Sequence, residues 1–270
     1  QDTGEPLRQG KEDNKAQRLF FIISAIFIAI FLIAPILVIL PMSMSESPFI
    51  KFPPSALTFE WFENLYYDPK WTRALTSSLE IAAIAVGLSL ALGTSAAIGL
   101  SRMQSRLKPL LEAFVLTPLI IPPIIIAVGL YSLYAPLGFL GSKLGLGIGH
   151  ALLATPFVFI AVRASLRTFD QNIELAAIGM GATWMTMFRR VMLPSIWPGL
   201  LAGSIFAFIT SFDDVILALF LTDVRSRTLP RVIYEGVKYD TDPTIVAVAA
   251  ILIFVSMTIL ITNIILERRK

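Results

Sequence analysis

The 270-residue chain has no cysteine and one histidine, His150. Disulfides, thiol catalysis and cysteine-rich metal sites are excluded, and a zinc or iron centre is not expected from a single histidine. Charge is scarce too: Asp, Glu, Lys and Arg make up 15% of the residues, against about a quarter in soluble domains. No G-x-x-x-x-G-K-[ST] occurs. Gly10-Lys11 is followed by Glu12 and lacks the upstream glycine, so the chain has no phosphate-cradling loop of that kind and is not expected to hold ATP. Neither an internal repeat nor a second domain is visible.

Apolar residues, at 56%, are what the sequence has in excess. A chain with so little polar surface cannot cover itself in water, which makes it an integral membrane protein. The pI near 9.2 does not point to nucleic acid, because the basic residues cluster at the ends of apolar runs. The polar start, QDTGEPLRQGKEDNKAQR, has neither the short charged start nor the small-residue cleavage site of a secretory signal. A start at Gln1 rather than Met is expected of a processed, trimmed or engineered N-terminus.

A bilayer core about 30 Å thick needs about 20 apolar helical residues. Six segments qualify: 19–40, 76–100, 110–134, 148–165, 196–221 and 244–266. The expected organisation is a tail at 1–18, one six-helix transmembrane domain at 19–266, and a tail at 267–270. Lys and Arg are unevenly shared between the two sides. Fourteen lie on the side of both tails, the second-to-third loop (Arg102, Arg106, Lys108) and the fourth-to-fifth region (Arg163, Arg167, Arg189, Arg190). Eight lie opposite, in loops that are longer and rich in acids. The positive-inside rule then puts both termini in the cytoplasm. Trp61, Tyr66, Tyr67 and Trp71 read as aromatic anchors on the outer side. Tyr131, Tyr134, Trp197 and Phe208 read as belt or packing residues, with a minority lining a cavity. His150 reads as interfacial, and Arg163 and Arg167 as topology anchors.

Between the fourth and fifth segments, residues 169–194 form a cytoplasmic loop too organised to be a simple connection. Residues 173–180 are expected to be a short helix. Ala176 and Ala177 keep its surface flat, Gly181 takes the left-handed conformation that ends it, and Thr183 caps a second helix from Trp184 to about Met192. Pro194 is expected to stop that helix before the fifth span. Trp184, Met187 and Phe188 supply apolar anchors.

The pattern Ala176-Ala177, Gly181-Ala182 and Val191-Met192-Leu193-Pro194, extended by Pro198-Gly199, resembles the coupling loop of ABC importer permeases. The resemblance implies an all-α, type I (MetI-like) importer fold with six spans in the bacterial inner membrane. It implies that Glu174, Ala176, Ala177, Gly181, Ala182, Trp184, Phe188, Leu193 and Pro194 form a coupling helix docking on an ATPase. The family places Glu directly before the Ala pair. This chain has Leu175 there and Glu174 one residue earlier. TSFDDVILALFLT (210–222) and PLIIPPIIIAVGL (118–130) resemble the spermidine/putrescine-type permeases. The resemblance implies partners: a second, related permease, two ATPase subunits carrying ATP and Mg, an external binding protein and membrane lipids. It implies no cofactor in this chain. Substrates across the wider group are polyamines, opine-like amino-acid derivatives, phosphonates and iron complexes.

Charges within spans are costly and usually face a cavity. Asp213 and Asp214 lie about 22 Å beyond Pro198 at 1.5 Å per residue, near the outer face, and Glu80 is also on the outer side. With Tyr131 they are candidates for a cation path. The alternative is structural: Ser211-Phe212-Asp213-Asp214 fits a capping box, with a half-helix starting at Phe212 and Asp214 satisfying free backbone donors. Pro122 and Pro123 either loosen the third span for alternating access or hold a static kink. Arg225, Arg227 and Arg231, with Asp223, Glu235, Asp240 and Asp242, form an outer loop that is either a docking surface for the binding protein or merely solvated. A secondary transporter using Asp213 and Asp214, and a non-transporting scaffold, are the rival classes. The first lacks an inverted repeat, and neither accounts for the acids, the prolines and the organised loop together.

Overall fold

The computed structural model describes residues 6–47, 52–54, 56–239 and 242–267. The first five residues, Asp240 and the Arg268-Arg269-Lys270 tail lie outside the described residues. The described chain is helical apart from one isolated antiparallel bridge, Ser45 to Leu57. It divides into two compact units, residues 1–68 with 236–270, and residues 69–235.

In the first unit, α1 (Pro6–Met42) is apolar on every side from residue 19 onward, so no face of it is marked as a core. The short helix α2 (Glu60–Tyr67) and α12 (Thr244–Glu267) pack together, and α12 also meets α1. Trp61 is held by its indole N–H, which donates to the Ser45 carbonyl at 2.6 Å. Tyr66 and Tyr67 are exposed, as expected of anchors.

The second unit is built on three long helices: α3 (Pro69–Arg102), α6 (Lys143–Thr168) and α9 (Leu193–Asp213), which pack pairwise on one another. Without a hydrophobic driving force between helices in lipid, association relies on close packing at small residues. Val158 of α6 sits between Gly93 of α3 and Gly203 of α9. A Cβ at Gly93 would lie 2.8 Å from Val158 Cβ, and one at Gly203 would lie 3.1 Å from Val158 Cα. Trp71, read above as an anchor, is buried in this unit.

The third expected span is broken. Helices α4 (Lys108–Ile120) and α5 (Pro123–Leu137) meet at 99°. A residue before proline is pushed out of the helical region. Here that happens twice in succession: Ile121 precedes Pro122 and has ψ 129°, and Pro122 precedes Pro123 and has ψ 131°.

The fifth expected span also differs. Helix α7 (Gln171–Gly179) is followed by α8 (Trp184–Met187), a π-helical turn (Phe188–Met192) and α9. Pro194 does not stop the helix. Trp184–Asp213 is one continuous apolar helix of 30 residues, because the π turn absorbs the proline: the Leu193 N–H donates to the Phe188 carbonyl five residues back. The helix ends instead at Asp213. A separate α10 (Ile216–Leu221) follows, then α11 (Leu229–Tyr239). Among the described residues four helices are long and apolar enough to cross a membrane, or five if the bent α4–α5 pair counts as one span.

Candidate functional site: a docking hairpin and a broken helix

The hairpin is assembled from local signals. Asp170 caps α7, its Oδ1 accepting the Asn172 N–H at 2.8 Å. Gly181 has φ +83°, the left-handed region open to glycine, and turns the chain. Thr183 caps α8 through the Thr186 N–H. Ala177, Met187 and Met192 are buried in the core formed with Ala97, Val158, Phe159, Val162 and Ile196. Burying a methionine contributes roughly 1.5–3 kcal/mol. Glu174 makes a 2.9 Å ion pair with Arg102 at the end of α3, and a partly exposed pair is worth about 1 kcal/mol or less. Packing therefore seats the hairpin, and the ion pair orients α7.

Two expectations change here. Ala177 and Met187 face the core rather than outward, because one turn of each short helix must be buried to hold the hairpin. Glu174 points inward to Arg102. The outward surface consists of Ile173, Leu175, Ala176, Ile178, Met180 and Gly181, with Met180 83% exposed. Exposed Trp184 stacks on Phe188 with centroids 5.4 Å apart and an interplanar angle of 6°. Leu175, where the resemblance noted above would place Glu, lies on this face. Ala182 is half-buried, and Leu193 and Pro194 open α9.

The broken helix lies at the other end of the bundle. Asp214 is extended, ending α9, and its Oδ1 accepts the Leu217 N–H at 2.8 Å and the Ala218 N–H at 3.4 Å. Its carboxylate takes the first free N–H groups of α10, whose N-cap residue is Val215, so the half-helix starts four residues later than the Phe212 expected, and Ser211 lies inside α9 instead of capping that half-helix. The sole histidine is packed inside the protein. His150 is completely buried, its Nδ1 2.8 Å from Ser211 Oγ and its Nε2 3.3 Å from Asp214 Oδ1. That second contact has ion-pair distance without hydrogen-bond geometry. Polar residues buried within a span need partners. The sequence offers a hint in the small residues around His150 (GIGHALLA), which let neighbouring helices come close.

The other acids are not gathered. Asp213 is exposed. Glu80 pairs with Lys143 at 2.6 Å, and Lys143 is seven residues, about 10 Å, before His150 on α6. Tyr131 is half-exposed on α5, whereas Tyr134 is buried against Phe139.

Beyond α10, Arg231 is spent on structure. Its guanidinium donates to the Ala218 and Thr222 carbonyls at 3.2 and 2.8 Å, to the Thr222 hydroxyl, and to Glu235 at 2.7 Å. Arg227 also reaches Glu235, at 3.6 Å. Burial pushes the Asp223 carboxyl up. Hydrogen bonds from the Ser226 hydroxyl and the Arg225 and Ser226 N–H groups, with the Arg225 charge, outweigh it and hold the carboxyl below its ordinary range. Arg225 and Val224 are left exposed on this loop. Among the described residues no group of His and acids is placed to hold a metal.

Residues 89–269 match the family described as binding-protein-dependent transport system inner membrane component. The chain belongs to this family. It is thus a permease subunit of an ABC importer in the inner membrane. The spermidine/putrescine permease PotC of Escherichia coli K12 is 29% identical over 241 residues, covering 89% of this permease and 90% of PotC. The putrescine permease PotI of the same organism is 31% identical, covering 83% and 82%. In structure the permease is similar to a chain of a bacterial ABC transporter importing the acidic polysaccharide alginate. There the TM-score is 0.71 at 19% identity, covering 94% of this permease and 97% of that chain.

Proposed function

We propose that the permease passes a polyamine-like cation from an external binding protein to the cytoplasm by alternating access. It does so with a second related permease, two ATPase subunits that hold ATP and Mg, and no cofactor of its own. The observation that carries the coupling role is the hairpin: a packed lever whose outer face is apolar around Leu175, Ile178 and Met180. Such an exposed patch marks a partner surface. In this reading the chain has six spans, α4 and α5 forming one and α12 the last, with both termini and the hairpin in the cytoplasm. ATP binding draws the ATPases together, the hairpins follow, and the π turn at 188–192 transmits the motion into α9.

The cationic substrate class is supported by the likeness to PotC and PotI and by Asp213, an exposed carboxylate where α9 breaks. Asp214 is taken by its capping role and positions the break. The test is ATP-dependent uptake of labelled spermidine by vesicles holding the complete importer. Asp213→Asn should lower uptake at least ten-fold while ATPase co-purification is unchanged. Uptake equal to wild type would remove Asp213 from the path, and no uptake by wild type would refute the substrate class.

A further inference from the structure

Outside the coupling face, the hairpin end of the bundle holds a basic pocket of about 470 Å³. Lys108 of α4, Arg163 and Arg167 of α6, Ser101 of α3 and Asp170 line it. Arg163 is paired with Glu112, 2.8 Å away on α4, and Asp170, which caps α7, leaves one negative charge in the wall. Among the described residues Lys108 and Arg167 have no acidic side chain within ion-pair distance. Lys108 and Arg167, neither of them ion-paired, therefore face one cavity, which stays net positive with Asp170 in its wall.

The same three helices carry a second cavity, an apolar groove of about 520 Å³. Leu88 and Leu92 of α3, Phe114 and Pro118 of α4, and Ile148 and Leu152 of α6 line it. Along α3, Ser101 in the pocket and Leu88 in the groove are about 20 Å apart. On α4, Phe114 follows Lys108 by about 9 Å. A cationic pocket thus stands at one end of the helices that line an apolar groove. That sequence of chemistries matches a molecule with an anionic head and a hydrocarbon tail.

We propose that this surface is a binding site for an anionic phospholipid, the phosphate between Lys108 and Arg167 and one acyl chain in the groove. The occupant follows from charge complementarity at the head and from the continuity of α3, α4 and α6 between the cavities. Basic pockets between spans on the cytoplasmic side hold lipid head groups through such charges. The cytoplasmic placement of the head rests on the orientation proposed above.

The test is native mass spectrometry of the intact complex in detergent, titrated separately with dioleoylphosphatidylglycerol, dioleoylphosphatidylcholine and inorganic phosphate. Wild type should bind phosphatidylglycerol more tightly than phosphatidylcholine. Lys108→Gln with Arg167→Gln should weaken only phosphatidylglycerol, by about five-fold per cation removed, with Lys108→Gln alone giving half the effect on a logarithmic scale. Leu92→Trp, which fills the groove, should weaken both lipids. An unchanged preference in the charge variants would overturn the proposal. So would inorganic phosphate binding as tightly as lipid with no effect of Leu92→Trp, which would make this a free-anion site. Loss of the second permease from Leu92→Trp with lipid binding intact would assign the groove to that subunit and also overturn it. ATPase retention is scored in the same spectra, so failure of the lipid site and failure of the coupling reading are separately visible.

Discussion

At the residue scale, Asp214 and Asp223 do similar work with different consequences. Asp214 accepts the Leu217 and Ala218 N–H groups within the span. An asparagine oxygen can accept the same donors, so Asp214→Asn should leave the thermal midpoint nearly unchanged. Asp214→Leu leaves buried donors unpaired and should cost about 1–3 kcal/mol, read as a lower midpoint in detergent. Asp223 lies outside the spans, and its folded carboxyl titrates below the unfolded one. Its contribution is present above about pH 4 and is lost as pH falls through the lower folded value. Amide exchange at Arg225 and Ser226 should therefore accelerate at acid pH in wild type and be independent of pH there in Asp223→Asn, after correction for intrinsic exchange. That Asp214 would satisfy free backbone donors was legible in the sequence, but the capping box headed by Ser211 was not the route: Ser211 lies inside α9 and meets His150, and Asp214 caps forward onto α10. The burial of His150 was not legible, since its partners lie about 60 residues away and only packing brings them together.

At the element scale, the hairpin shows which local rules survive in context. The Thr183 cap and the left-handed Gly181 need only neighbouring atoms, and the sequence announces them; the Asp170 cap is just as local but was not read, and it starts α7 at Gln171, two residues before the expected start. Pro194 was misleading because a rule that proline ends a helix assumes an α ladder, and the π turn supplies a different one. Which alanine faces outward was likewise set by packing: Ala177 is buried with Met187, while Ala176 is exposed. Helix packing makes its own prediction. Gly203 lets α9 approach the backbone of α6 at Val158, so Gly203→Leu should separate the helices and cost about 1–3 kcal/mol. Thermal unfolding of the purified permease measures this, and an unchanged midpoint would show that α9 and α6 can shift freely.

At the scale of the whole molecule, long apolar runs made the membrane class and the helical fold readable. The double break at Ile121-Pro122-Pro123 and the end of α9 at Asp214 divided two of the expected spans. These breaks occur where backbone groups can be satisfied by other means, which a hydropathy window does not register. The bundle of α3, α6 and α9 carries the hairpin at one end and the broken helix at the other, and a single 30-residue helix runs between them. The central claim is that the exposed apolar face of this hairpin receives the ATPase. Co-purification of the co-expressed ATPase with tagged permease tests it most directly, comparing wild type with Met180→Asp, whose side chain is 83% exposed in the permease. The account predicts ATPase retained on wild type and reduced at least ten-fold on Met180→Asp at an unchanged thermal midpoint. Equal retention on both, or none on wild type, would contradict it.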